Sequence, residues 1–439
     1  MTEPANPARP LNVPAGRLNR FARLGGMTAG IAGNVALRAL GEVARGTRPD
    51  MRQLLVTPGN MRRMADQLAQ MRGAAMKLGQ LISMDTGDVL PPEVADIMAR
   101  LRDQADFMPP KQLRKVLDHN WGHHWLTSFK HFDVRPIAAA SIGQVHRAEL
   151  KDGRQVAIKV QYPGVARSID SDVSNVGALV KMSGLLPTGF DLAPYLSEVR
   201  KQLHEETDYQ REGAYLREFG DLLRGNEAFE VPTYHADWST AEVLTMSYLP
   251  GQPIEAAAER PAAVRNGIMS ALLDLTLREV FEFHLTQSDP NFANYRYNPE
   301  TGKLILLDFG ATRHLDADLI DGYRRLMHAG LTSDQTALKT AALEMRFIDG
   351  DGPFDAQILR MIMTVFSAVQ GQMFDFADPT LSRDLHRQGM ALSEGGYVPP
   401  PLPMDVLYLQ RKFGGMFLLG SRLNAVVPVR AKLESYLSA

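Results

Sequence analysis

The chain has 439 residues, 45% of them apolar and 22% charged, with 50 acidic against 48 basic side chains for a formal charge of -2. This is enough apolar material for two or three domains or one two-lobed enzyme, and it argues against wholesale disorder and against a dedicated nucleic-acid binder. There is no cysteine, which excludes disulfides, thiolate nucleophiles and cysteine-held metal centres; no run of 18 apolar residues marks a membrane span.

Charge is uneven along the chain. Residues 1–72 hold eleven arginines and no lysine against Glu3, Glu42, Asp50 and Asp66, a net +7. Residues 1–50 read as a basic, flexible arm opened by proline–asparagine-rich pieces. Within it, Leu24–Leu37 is uncharged, contains four glycines and is flanked by Arg23 and Arg38. It is too short to span a bilayer, but such a segment suits a membrane surface or a partner, with docking on its own protein as the plainer reading.

Residues 59–82 carry Met64, Leu68, Met71, Ala75, Leu78 and Ile82 at helical spacing. Pro91–Pro92 and Pro109–Pro110 open two further helices, so residues 51–130 form a helical block. The texture then changes. Ser141–Leu150 and Arg154–Gln161 are β-rich segments joined across Asp152–Gly153, a hairpin signature. Residues 192–219 read as one long charged helix, and Val231–Pro232 and Val243–Leu249 as short strands. From Pro261 onward helices dominate, apart from Leu304–Asp308. The lobes expected are a small β-rich one over 131–250 and a larger helical one over 251–439.

Lys159 ends the apolar strand segment Val156, Ala157, Ile158. An ammonium on a hydrophobic surface is costly unless an anion meets it. Upstream, the kinase loop pattern G-x-G-x-x-G-x-V aligns with Ala138, Ala139, Ala140, Ser141, Ile142, Gly143, Gln144 and Val145, with alanine at two of its three glycine positions. Backbone N–H groups there and the Ser141 hydroxyl are candidates to meet phosphates. Glu206 is the candidate carboxylate to hold Lys159. Asp208, two residues on, cannot share its face on a regular helix, so the two reach different partners or the helix is distorted. Asp289 and Asn294 precede Asp308, Phe309 and Gly310 in the order and nearly the spacing of a kinase catalytic loop and D-F-G motif. Asn294 and Asp308 offer the oxygen ligands that Mg2+ wants; Asp289 would orient or deprotonate an acceptor. The strand containing Met246 and Tyr248 leads into Pro250 and Gly251, as an interlobe hinge with the adenine site would need. The histidines show no metal-ligand pattern.

With these motifs in place, the sequence closely resembles the UbiB family of atypical, protein-kinase-like proteins, and within it the branch of coenzyme Q biosynthesis kinases. The resemblance covers roughly residues 55–435. Lys77, Leu78, Gly79 and Gln80 match the family's K-x-G-Q signature; Glu206, Thr207 and Asp208 its E-x-D; Asp289–Asn294 its D-P-N-x-x-N; and Arg411–Leu419 its tail. The resemblance implies an α+β, two-lobed protein-kinase-like fold with the 51–130 extension, carrying Lys77 and Gln80, folded over the active site. It implies ATP or ADP with Mg2+ as ligands, and ATPase or small-molecule kinase chemistry in support of ubiquinone or another isoprenoid quinone. It also implies contact with a lipid membrane surface, quinone precursors and quinone-biosynthesis enzymes. The expected location is cytoplasmic or peripheral at the inner membrane if the chain is bacterial, with a mitochondrial matrix face the less favoured alternative. Lys77, if buried, needs Glu206, Asp208 or phosphate as a partner, and Gln80 lies on its helical face. The leading expectation is a phosphoryl-transferring or ATP-hydrolysing enzyme. A nucleotide-switched scaffold with little catalysis is the alternative, and a conventional kinase the third. The acceptor and the oligomeric state, a homodimer included, stay open.

Overall fold

The computed structural model describes residues 68, 71, 73–79, 107–183, 191–397 and 402–437. The basic arm, the helix expected from Pro91, and Gln80 lie outside the described residues. The chain divides into two compact units, one of Met1–Arg211 with Tyr234–Tyr248, the other of Glu212–Thr233 with Leu249–Ala439.

Unit one is built on an antiparallel sheet. Its strands are β1 (Phe129–Phe132), β2 (Ala138–Ala139), β3 (Gly143–Leu150), β4 (Gln155–Gln161) and β6 (Val243–Ser247), in the order β1-β3-β4-β6 with β2 on β3. The expected hairpin is there: Gly153 takes φ 93° at the turn, a conformation that glycine adopts at no steric cost, and Val145 stands opposite Lys159. Strand β4 is buried on both faces. Val156, Ile158 and Val160 point to one side, where they join Leu113, Val116 and Leu117 of helix α1 (Pro110–Trp121) and Trp125 in a single core. Because strand side chains alternate, Ala157, Lys159 and Gln161 face the other way.

The long charged helix expected over 192–219 is two helices, α3 (Ala193–Glu206) and α4 (Tyr209–Leu222), following α2 (Val165–Ser183). Thr207 ends α3, its N–H returning to Leu203 O, and Asp208 starts α4 by accepting hydrogen bonds from the N–H groups of Gln210 and Arg211 at 3.1 and 3.0 Å. An aspartate before a first helical turn is a strong N-cap. Gln161, buried on β4, donates to Thr207 O at 2.7 Å and fixes the break. The break explains how Glu206 and Asp208 serve different partners.

Unit two is mainly helical: α5 (Ala262–Phe281), α6 (Ala317–Leu331), α7 (Gln335–Glu344), α8 (Asp355–Ala368), α9 (Thr380–Glu394), α10 (Met404–Arg422) and α11 (Val429–Leu437). It also holds strands of two or three residues that are too short for a period-two pattern to register in sequence. They include β5 (Phe229–Glu230), β7 (Gln252–Pro253), β8 (Leu285–Gln287), β9 (Tyr295–Tyr297), β10 (Leu304–Leu306) and β11 (Thr312–His314). The strand expected at Val231–Pro232 lies two residues earlier, as β5, where it pairs in parallel with β10. That pairing draws residues 212–233 into unit two, although their place in the sequence is inside the small lobe. No helix among the described residues is long and apolar enough to cross a membrane.

Candidate functional site

In unit one the alanine-rich loop is a small hairpin. Ala138 and Ala139 pair with Val145 and Gln144, and the Ala140 N–H donates to Gly143 O at 2.8 Å. Ala138 and Ala139 are exposed and Ala140 is half-buried; Ile142 and Gly143 are buried. The glycine retained at 143 has a steric reason. A Cβ there would lie 2.4 Å from Val160 O and 3.0 Å from the Tyr209 hydroxyl. Opposite the loop, Lys159 is 7% exposed, and its ammonium stands 5.3 Å from the centre of the Tyr209 ring, a cation–π contact. Across the sheet, Leu244 is the register partner of Lys159, and Met246 that of Ala157. Val145, Lys159, Leu244, Ala157 and Met246 therefore line one face. The Arg147 guanidinium lies 4.3 Å over the Tyr248 ring.

Glu206 does not hold Lys159. Its carboxylate forms an ion pair with Lys77, both side chains being largely buried, and accepts a hydrogen bond from the Ser141 hydroxyl at 2.9 Å. Two expectations change as a result. The Ser141 proton is committed to Glu206 and not to a phosphate, and the buried Ile142 side chain packs inward: a Cβ on Gly73, in the helix of residues 73–79, would lie 3.5 Å from Ile142 Cγ2. Glu206 stands at the end of α3, where the chain turns toward that helix. Lys159, on β4 between β3 and β6, sits instead beside Tyr209 at the start of α4. Asp208 acts as a cap.

In unit two, β8 leads into Ser288 and Asp289, a short 3-10 turn covers Phe292–Asn294, and β9 follows. Asn291 caps the turn by accepting from Ala293 N–H at 3.1 Å. The Asn294 side-chain N–H donates to Asp289 O at 3.1 Å, which leaves its amide oxygen for a cation. The Leu307 N–H donates to Asn294 O at 3.0 Å, continuing the β9–β10 ladder of Leu306 opposite Tyr295 and bringing Asn294 beside the strand that delivers Asp308. Asp308 Oδ1 accepts from Gly310 N–H at 3.0 Å, and Phe309 packs on Phe219 with ring centres 5.0 Å apart. The donor set suits a hard cation, being oxygen-only, with one amide and one carboxylate and the rest left to phosphate and water. Among the described residues no group of three or more histidine and acidic side chains forms a metal cage.

Sequence reasoning missed two charged residues. Glu212, 1% exposed, lies in the first turn of α4, and a Cβ on Gly310 would lie 3.3 Å from both its Oε2 and Asp308 Oδ1. A second carboxylate thus stands at the D-F-G turn. The signal was Asp208 itself: reading it as an N-cap places Glu212 at the start of a new helix. The second is Arg411, in the tail segment, whose guanidinium meets Asp289 Oδ1 at 2.6 Å.

Residues 100–342 match the ABC1 atypical kinase-like domain. That match covers more than half of the chain. The chain belongs to the ABC1 atypical kinase-like family. It is 37% identical over 424 residues to the mitochondrial atypical kinase COQ8 of Saccharomyces cerevisiae, covering 95% of this chain and 84% of that protein. It is 35% identical over 432 residues to the mitochondrial atypical kinase COQ8B of Rattus norvegicus, covering 96% and 81%. The fold is shared with Rv3197 of Mycobacterium tuberculosis, solved in complex with erythromycin, at a TM-score of 0.62, 24% identity, 86% of this chain and 97% of that one. The expected α+β protein-kinase-like architecture stands.

Proposed function

We propose that this protein is a Mg-ATP-dependent phosphotransferase or ATPase that serves isoprenoid quinone biosynthesis at a membrane surface. The observation that carries the reading is the ladder that joins Asn294 to Leu307 and so gathers Asp289, Asn294 and Asp308 in unit two. Membership of a family with COQ8 relatives supports the pathway, and the +7 charge of residues 1–72 supports the surface.

Lys159, on the face shared with Met246, would bind the α/β-phosphates. Asn294 and Asp308 would hold magnesium, which offsets charge on the phosphate oxygens. Asp289 takes the proton of the acceptor, water or a small hydroxyl compound, as the acceptor oxygen bonds to the γ-phosphorus and the bond to the bridging oxygen breaks, releasing ADP. The test is phosphate release with Mg-ATP, with and without anionic vesicles carrying a quinone-precursor-like lipid. Turnover that is stimulated by vesicles and lost in Asp308→Asn is the expected result. Turnover unchanged in Asp308→Asn refutes the assignment.

A second reading, the nucleotide-switched scaffold, draws on the Glu206 carboxylate, which ties the Ser141 loop to the Lys77 helix. A nucleotide that rearranges the loop would then move that helix. Nucleotide binding without turnover, accompanied by a change in vesicle affinity, would favour it.

A further inference from the structure

Helix α10 meets the Asp289 loop at three points on one side. Lys412, 1% exposed, is a buried anchor. It pairs with Glu279, also 1% exposed, at 3.0 Å, and donates to Gln287 O at 3.0 Å and to the Tyr295 hydroxyl at 3.3 Å. Burial disfavours its charge, but the adjoining Glu279 outweighs this and holds its pKa above the ordinary range, so it remains an ammonium. Glu279 in turn accepts from the Thr286 hydroxyl and the Gln287 N–H, which secures β8 from both sides. One turn further along α10, Gly415 rests on Pro290: a Cβ there would lie 2.3 Å from Pro290 Cβ, so only glycine permits the contact. Next to Lys412 in the chain and one turn before Gly415, the Arg411 guanidinium takes Asp289 Oδ1 at 2.6 Å, with side-chain exposures of 13% and 17%. Among the described residues, Asp289 Oδ2 has no hydrogen-bond partner.

From this geometry we infer that Arg411 is a positioning residue for Asp289. By occupying Oδ1 it directs Oδ2 toward the acceptor, and Lys412 and Gly415 set the height and angle at which it does so. The inference rests on the phosphoryl-transfer reading. A charge-assisted bond from a planar, permanently charged group fixes a carboxylate's rotation better than a flexible ammonium does. A misplacement of the order of 1 Å costs about 100-fold in rate. Arg411 adds nothing to ATP binding in this account, because its partner is the group that handles the acceptor.

The test measures phosphate release and nucleotide binding for the full chain, Arg411→Ala, Arg411→Lys and Asp308→Asn, each with its melting temperature. The expected result for Arg411→Ala is a kcat lowered about 10- to 100-fold, with nucleotide affinity within about twofold of the parent. Millimolar guanidinium should restore part of that turnover, and Arg411→Lys should fall between the two. A melting temperature that drops with no guanidinium rescue would make Arg411 structural and overturn the inference. So would a higher kcat in Arg411→Ala, which would make the contact an inhibitory one. Loss of turnover in Asp308→Asn with no effect at Arg411 refutes the positioning role and leaves the phosphoryl-transfer reading standing; turnover intact in Asp308→Asn removes both.

Discussion

The ion pair of Lys77 with Glu206 makes a quantitative claim. The two side chains are 7% and 13% exposed, and the carboxylate also receives the Ser141 hydroxyl at 2.9 Å. Glu206→Gln keeps the shape but leaves the Lys77 ammonium facing a neutral amide. Breaking a buried pair by removing one partner costs about 3–5 kcal/mol; with Glu206 partly reached by water, the low end, about 3 kcal/mol, applies here. For a unit of this size that corresponds to a fall of roughly 6–12 °C in melting temperature. Replacing both partners, Lys77→Met with Glu206→Leu, removes the stranded charge and should recover most of the loss, because two apolar side chains can occupy the space of a buried pair at little cost. A double-mutant cycle read by urea unfolding should give a coupling of about 2–3 kcal/mol. Single variants within about 0.5 kcal/mol of the parent, with no coupling, would refute the argument that this pair is desolvated and joins the helix of residues 73–79 to the alanine loop.

Gly143→Ala forces a Cβ to within 2.4 Å of Val160 O, and because that contact is backbone the loop must shift; the expected result is about 1–3 kcal/mol of lost stability, whereas Gly267→Ala, with open space around it in helix α5, should be neutral or stabilising by up to about 1 kcal/mol, both read from denaturant midpoints. His146 is fully buried: its Nδ1 meets Asp133 O at 2.8 Å and its Nε2 meets the Gln144 amide at 2.8 Å, while Gln144 Oε1 is taken by the Met108 N–H, so the amide donates to a neutral ring. Burial lowers its pKa below the ordinary value, so the unfolded chain takes up the proton first. This contribution to stability is complete above about pH 6.5 and is lost as pH falls below it, by at most about 1.4 kcal/mol per pH unit. His146→Phe should flatten that part of the stability–pH curve, and an unchanged slope would refute the assignment. Asp208→Ala removes the cap of α4 and should cost about 1 kcal/mol in the same denaturant assay, with Asp208→Asn close to the parent.

Much of the chemistry was legible in one dimension. Strand β4 holds a short apolar run, residues 156–158, followed by Lys159, the turn before it is Asp152–Gly153, and Asp289, Asn294 and Asp308 lie within twenty residues of one another; local propensity and local spacing specify all of these. Where two candidate carboxylates compete for two lysines, local rules are silent. Glu206 pairs with Lys77, 129 positions earlier, because Thr207 ends helix α3 and Asp208 starts another. The decisive contact is the Gln161 hydrogen bond to Thr207 O, which joins a strand to a helix break and leaves no mark on either sequence segment. Glu212 went unseen for the same reason, since an unbroken helix puts it on a face chosen by the wrong phase. Arg411 is 122 residues from Asp289. An arginine in an amphipathic tail helix looks like any solvated charge, and only the burial of Lys412 against Glu279 and the bare Cα of Gly415 against Pro290 bring it to the carboxylate. The sequence by itself determined which groups are the candidates to handle phosphate and metal, because that chemistry demands particular side chains at short spacing. The tertiary structure alone decided which charge neutralises which, because burial and distance set the strength of an ion pair and neither is a property of neighbours along the chain.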